Sequence, residues 1–278
     1  MRISDAVNNG SRVFGAAGIE NPLTDARILM SAATGLSTAD ILAHPERELS
    51  GSEEELWLEY LTRRANREPA AYITGTKEFM GLEFTVNEKT LVPRPDTETL
   101  VEEAMLHLHD GMRFLDLCTG TGCIALSLLR YSNDTQAVAT DISADALAVA
   151  SDNAARLGVS GRVRFEETDL YPEPDGRFDL IVSNPPYIPS GDIPDLMPEV
   201  SKYEPAIALD GGADGLDLYR RIAEDAERYL YAGGWLLCET GFDQAAEVTA
   251  IYEAAGFKDI SVVKDLGGMD RVVKGCLY

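Results

Sequence analysis

Asn184-Pro185-Pro186-Tyr187 is the run in this chain whose residue types can do chemistry together. Two consecutive prolines fix the backbone and remove two N–H donors, so carbonyl oxygens are free to point at a ligand. The Asn184 side-chain carbonyl and the Pro185 backbone carbonyl can then accept both N–H bonds of a planar NH₂ group. The Tyr187 ring offers a face on which such a group stacks. An amide or aryl-amine nitrogen is a poor nucleophile because its lone pair is delocalised. Two acceptors on its hydrogens favour a tetrahedral nitrogen and the charge that develops on it. Attack on an activated methyl carbon then needs alignment more than a strong base, so no neighbouring histidine is required. Asn-Pro also makes an ordinary rigid turn. The place of this one favours a site, because it directly follows the strand-like run FDLIVS at 178–183, and open α/β sheets build their sites at strand ends.

A second stretch, FLDLCTGTGCIAL, runs from a buried strand through a glycine turn into a helix. Gly120 and Gly122 let the backbone approach a ligand closely, with Cys118, Thr119 and Thr121 between and before them, and the helix N-terminus behind favours a carboxylate or phosphate. Asp141 ends the next strand, where an acid can accept hydrogen bonds from ribose hydroxyls. Gly120, Gly122 and Ala125 satisfy the G-x-G-x-x-A form of the dinucleotide fingerprint. The loop thus indicates an adenosine cofactor and leaves nicotinamide dinucleotides and S-adenosyl-L-methionine both open. Asp116, in a D-x-C-x-G-x-G frame similar to the D/E-x-G-x-G-x-G signature of class I methyltransferases, leans toward the latter. Cys118 stands where that signature has its first glycine. Asp169-Leu170 follows the third strand and is expected near the adenine; a turn acid before Pro172 is the other reading of Asp169.

These residues need elements to position them. Seven strand candidates, at 113–118, 136–141, 163–168, 178–183, 235–239, 259–264 and 271–276, alternate for the most part with helical patterns such as ISADALAVASDNAARLG. That rhythm predicts a doubly wound, mainly parallel α/β sheet over residues 96–278. The last two strands leave no room for a helix between them and should pair antiparallel. Residues 1–70 read as short helices. Ile3, Ala6, Val7, Val13, Phe14 and Ala17 make one apolar stripe, and Ala26, Leu29, Met30 and Ala33 make another between Asn21-Pro22 and Gly35. Ser52 and Glu55 suggest a capping box, and Pro69 is expected to end the helical block. Residues 71–95, apolar and aromatic around Gly75 and Gly81, suggest a β-hairpin joining the two parts.

The bulk numbers narrow the partners. The 278 residues carry a net charge of −23, and residues 91–278 hold 33 acidic against 15 basic side chains. Such a surface repels a phosphate backbone, so direct nucleic-acid binding is not expected, and a basic protein or a small molecule is the more natural partner. No stretch reaches the length of a membrane-spanning helix, and the N-terminal residues lack a signal-peptide pattern, so a cytoplasmic protein is expected. Cys118, Cys123, Cys238 and Cys276 are scattered, away from His44, His107 and His109. No metal site or disulfide is expected from that spacing.

The tetrapeptide is shared by enzymes acting on exocyclic adenine nitrogen and by enzymes acting on protein glutamine. Here the rest of the chain resembles the release factor glutamine methyltransferases (the PrmC/HemK family) over nearly its whole length. The matching residues include Glu78-Phe79, Phe84, LVPRPDTE from Leu91 to Glu98, Glu239-Thr240-Gly241 with Gln244, and DLGGMDRVVKG from Asp265 to Gly275. The resemblance implies a small helical domain, a hairpin, and a Rossmann-like seven-stranded class I methyltransferase domain. It implies that Phe79 and Arg94 lie near the cofactor and that Asn184 to Tyr187 bind the target glutamine. That glutamine would be the one in the GGQ motif of class I peptide chain release factors, methylated at N5. Other readings stand beside these: Phe79 as core, Arg94 as an ion pair with Asp96 or Glu98, and Glu239 as a cap for the next helix. An N6-adenine methyltransferase would need a basic recognition region. A nicotinamide oxidoreductase would leave the tetrapeptide idle.

Overall fold

The first helices form where apolar residues recur at helical spacing. α1 (Ile3–Ala16) and α2 (Pro22–Thr34) bury Ile3, Ala6, Phe14, Ala26, Leu29 and Met30 in one core with Trp57. α3 (Thr38–Ala43) and α4 (Gly51–Ala65) each open on a reciprocal capping box, Ser37 with Asp40 and Ser50 with Glu53. The box expected at Ser52 and Glu55 is therefore displaced by two residues. Leu49 is buried just before the cap, and Glu53 also binds Arg47 at 2.7 Å, so tertiary contacts select Ser50 from two similar S-x-x-E patterns. Pro69 does not end the helical block; it stands at the start of α5 (Ala70–Thr74), where its missing N–H costs nothing.

The computed structural model describes residues 1–173 and 176–278. It divides into two units, Met1–Thr76 with Leu196–Tyr203, and Lys77–Asp195 with Glu204–Tyr278. β1 (Thr76–Phe79), which begins at the last residue of that first segment, and β2 (Leu82–Thr85) form the expected hairpin. It is held by Asn153, whose side chain bonds both the N–H and the carbonyl of Thr85. Then follow α6 (Glu98–Met105), β3 (Arg113–Leu117), α7 (Cys123–Tyr131), β4 (Gln136–Asp141), α8 (Ala144–Leu157), β5 (Val163–Glu167) and β6 (Phe178–Ser183). After the short α9 (Pro198–Ser201) come α10 (Asp217–Tyr229), β7 (Leu230–Glu239), α11 (Ala245–Ala254), β8 (Lys258–Lys264) and β9 (Asp270–Cys276).

The seven strands β3 to β9 form one sheet in the order β5-β4-β3-β6-β7-β9-β8, parallel except for β9, which runs antiparallel to both neighbours. Alternate residues of the central strands enter opposite cores. Phe114, Leu180, Val182 and Leu237 pack with Leu100, Leu126 and Ala154 of α6 to α8. Leu115, Leu117, Ile181 and Leu236 pack with Tyr219, Ile222, Val248 and Tyr252 of α10 and α11. The sheet is thus covered on both faces, which is why its strands read as continuous apolar runs. The chain moves outward from β3 to β5 and returns to β6 beside β3, so the carboxyl ends of β3 and β6 form the topological switch point where such sheets bind ligands. Among the described residues no helix is long and apolar enough to cross a membrane.

Candidate active site

β3 and β6 pair in parallel with Leu117 opposite Ser183, so the glycine loop and the Asn184 tetrapeptide leave the sheet side by side. Asp116, fully buried, pins the loop from below: its Oδ2 accepts from the Thr119 hydroxyl at 2.6 Å and from the Ala125 N–H at 3.2 Å. Asp141 pins it from the side, accepting from the Gly120 N–H and the Ser143 N–H, both at 2.9 Å. Gly122 has φ +79°, and a Cβ there would lie 2.9 Å from Leu126 Cδ1, so helix α7 and the loop pack in a way that only glycine allows. Gly120 would meet nothing, and its open side faces the cavity described below. Cys118 and Leu170 also take left-handed backbone angles, φ +58° and +72°, at a cost of about 1–2 kcal/mol each. The chain thus keeps a cysteine at a position whose backbone explains the glycine usual in the class I signature.

The tetrapeptide is held by residues far away in sequence. Asn184 Nδ2 donates to Thr97 Oγ1 at 3.2 Å, and the Tyr187 carbonyl accepts from Gln244 Nε2 at 2.9 Å. The Ile188 N–H and carbonyl bond the Leu209 carbonyl and the Gly211 N–H at 3.0 and 2.9 Å. Gly211 and Gly215 make room for this loop, since a Cβ would come 2.7 Å from Tyr187 Cα at Gly211 and 2.3 Å from the Tyr187 carbonyl oxygen at Gly215.

A cavity of about 290 Å³ joins the two loops. Arg94, Cys118, Thr119, Gly120, Thr121, Asp141, Asp169, Leu170, Asn184 and Pro186 line it, with Thr97, Ile142, Leu218 and Arg221 beside them. Asp116, Gly122, Pro185 and Tyr187 support its walls without being among that lining. Phe79, expected near the cofactor, is buried in the core with its ring edge-on to Phe84. Arg94 is held by Glu204 at 2.6 and 2.8 Å, not by Asp96 or Glu98; Glu98 instead accepts from the Met80 N–H. Asp169 pairs with Arg221 at 2.8 Å. Glu239 does not cap α11, whose N-cap residue is Gln244; it lies buried beside Asn184, where the paired β6 and β7 end. Thr97, Gly211, Gly215 and Arg221 carry no local signal of a site, although Thr97 falls within the matching run LVPRPDTE.

Three acids lie in or behind the cavity wall. Burial raises Asp116 and Glu239 to about 7 and raises Asp141 as well, so each gains from a cationic neighbour. Oδ1 of Asp116 and Oε2 of Glu239 have no hydrogen-bond partner among the described residues. Burial also pushes the Cys118 thiol and the Tyr187 hydroxyl up, and holds Cys123 at about 12. These groups stay protonated and do not serve as nucleophiles. The open glycine and the Asp141 carboxyl on the lining suit a ligand that comes close to the backbone and donates hydroxyl hydrogen bonds.

The PrmC N-terminal domain family matches residues 5–75, and the methyltransferase small domain family matches residues 95–196. The chain is 44% identical over 264 residues to a release factor glutamine methyltransferase of Agrobacterium fabrum, covering 93% of this chain and 91% of that protein. It is 45% identical over 259 residues to one of Geobacter sulfurreducens, covering 93% and 90%. Among solved structures, a methyltransferase from Pyrococcus furiosus shares the fold with a TM-score of 0.55 at 18% identity, over 77% of this chain and 98% of that one.

Proposed function

The chain belongs to the release factor glutamine methyltransferases, and from that premise we propose that it methylates N5 of the glutamine in the GGQ motif of a class I peptide chain release factor, with S-adenosyl-L-methionine as donor. One observation carries this: a single cavity is lined both by the glycine loop with Asp141 and by Asn184 with Pro186. When bound, S-adenosylmethionine supplies a methyl group made electrophilic by its sulfonium. Asp141 would hold it by accepting from hydroxyls and Gly120 by close backbone approach, with Asp169 and Leu170 also on the lining. Burial raises Asp141 on the cavity lining, so its carboxylate would gain from the donor's positive charge.

The tetrapeptide acts on the glutamine. Asn184 Oδ1 and the Pro185 carbonyl accept the two amide N–H bonds, and the Tyr187 ring stacks on the amide plane. Those acceptors bind most strongly as positive charge develops on nitrogen, so they lower the barrier more than they bind the ground state. Gln244, Gly211 and Gly215 keep this loop in place before the substrate arrives, so little reorganisation remains for the reaction itself. The names of the relatives favour glutamine over adenine, and the net charge of −23 agrees. The test is to incubate the protein with methyl-labelled S-adenosylmethionine and a class I release factor, and to read the GGQ peptide by mass. One added methyl on the glutamine is expected. Label on an adenine-containing oligonucleotide, with none on the factor, would overturn the reading.

A further inference from the structure

An asparagine amide has two unlike ends, and only one end has the right polarity for the proposed reaction. Oδ1 can accept a substrate N–H; Nδ2 would oppose one. Asn184 Nδ2 donates to Thr97 Oγ1 at 3.2 Å. Thr97 is itself 2% exposed and cannot turn to water. Having accepted one bond, its hydroxyl has a hydrogen left to donate. Glu239, 1% exposed at the end of β7, is carried beside Asn184 by the pairing of Ser183 with Cys238, and its Oε2 has no hydrogen-bond partner among the described residues.

We propose that Glu239 and Thr97 are positioning residues which set the end of the Asn184 amide that faces the cavity. An ionised carboxylate only accepts, so in this arrangement the Thr97 hydroxyl turns its hydrogen toward Glu239. The hydroxyl oxygen then accepts from Nδ2, and Oδ1 is left for the substrate. A protonated Glu239 can donate to Thr97 instead. The hydroxyl then can donate to Oδ1, which stabilises the flipped amide and turns an N–H toward the substrate.

The protonation that reverses this chain falls in the working range, since burial raises Glu239 to about 7, opposed by Thr97, Arg271 and Asn184 and reinforced by Asp96. The other groups facing it are Tyr187 after β6, Tyr219 on α10 and Cys123 on α7. All three are pushed further from neutrality, and Arg271 on β9 is raised. Asp116 also titrates near 7, but it bonds the glycine loop, so its effect belongs to cofactor affinity.

The inference rests on the proposed role of Asn184, and the two fail separately. The experiment measures kcat against pH from 5.5 to 8.5 at saturating donor and release factor, with donor Kd by calorimetry. It uses wild type, Thr97→Val, Thr97→Ser, Glu239→Gln and Asn184→Ala. Wild-type kcat should fall as pH drops through about 7. Thr97→Val should lose about 10–100-fold in kcat, as removal of an outer partner commonly does, with KM and donor Kd within about twofold, and Thr97→Ser should restore most of it. Glu239→Gln should be slow and should lose the acid limb. A Thr97→Val enzyme with wild-type kcat beside an inactive Asn184→Ala enzyme overturns the relay alone. An acid limb retained in Glu239→Gln also overturns it. Near-normal turnover in Asn184→Ala overturns the reading of the site beneath it.

Discussion

Asn184 and Asp141 line the same cavity, and the proposed reaction gives them different roles that substitution should separate. Asn184→Ala removes one preorganised acceptor and should cost about 10²–10³ in kcat, with donor affinity little changed by calorimetry. Asn184→Asp keeps an acceptor of the same shape but loses the N–H that Thr97 accepts and adds charge beside Glu239, so it too should be slow. Asp141→Ala should act on binding. In the proposed site it would lose charged hydrogen bonds to the donor, roughly 1.5–3 kcal/mol, and it also frees the Gly120 N–H that Oδ2 now holds. Unchanged donor affinity in a folded Asp141→Ala protein would remove that residue from the site.

The exits of β3 and β6 work because other segments crowd against them. Gly215 shows how tight this is, with φ +74° and space for no Cβ beside the Tyr187 carbonyl and Gln244 Nε2. Gly215→Ala should therefore displace the tetrapeptide and lower kcat while the sheet still folds. Gly233→Ala in β7 is the matched control. Its φ is +85°, yet nothing lies within 4 Å of the added Cβ, so it should cost stability through backbone strain and leave kcat as it was. Equal kcat in the two variants would show that close approach at Gly215 does not position the loop.

At the scale of the whole molecule, the chain leaves the second unit after Asp195 and rejoins it at Glu204, and the eight residues between belong to the helical unit. Glu199 anchors them there, bonded to Arg64 at 2.9 Å and to Arg67 at 2.5 Å. Arg64 also binds Asp25 at 2.7 Å. Burial pushes Glu199 up, but the hydrogen bonds from Arg67 and Arg64 outweigh it and hold the carboxyl below its usual range. A depressed pKa gives stability that is fully present above the unfolded value of about 4.3 and is lost as pH falls through the folded one. Glu199→Gln should therefore lower Tm at pH 7, and its difference from wild type should close below about pH 4. The cost should be about 2 kcal/mol, under the roughly 3–5 kcal/mol of an abandoned buried charge, because Asp25 still serves Arg64. A gap unchanged by acid would rule out the ion pair as the anchor.

Local patterns in the amino-acid sequence determine the seven strands, their alternation with helices, the glycine loop and the tetrapeptide, since each rests on periodicity or backbone chemistry within about a dozen residues. Tertiary structure decided what joins them. Arg94 finds Glu204 across 110 positions, and Asn184 finds Thr97 across 87. Neither partner differs in its local sequence from any other acid or hydroxyl, and nearby Asp96 and Glu98 look equally suitable for Arg94 by spacing. Ser50 prevails over Ser52 as the cap of α4 because Leu49 is buried and Arg47 holds Glu53. Glu239 reads as a cap when only its neighbours in sequence are considered, and becomes a buried neighbour of Asn184 once β6 and β7 lie side by side. Local preferences act before the chain closes on itself, whereas these pairings exist only after the loop entropy between their partners has been lost to folding.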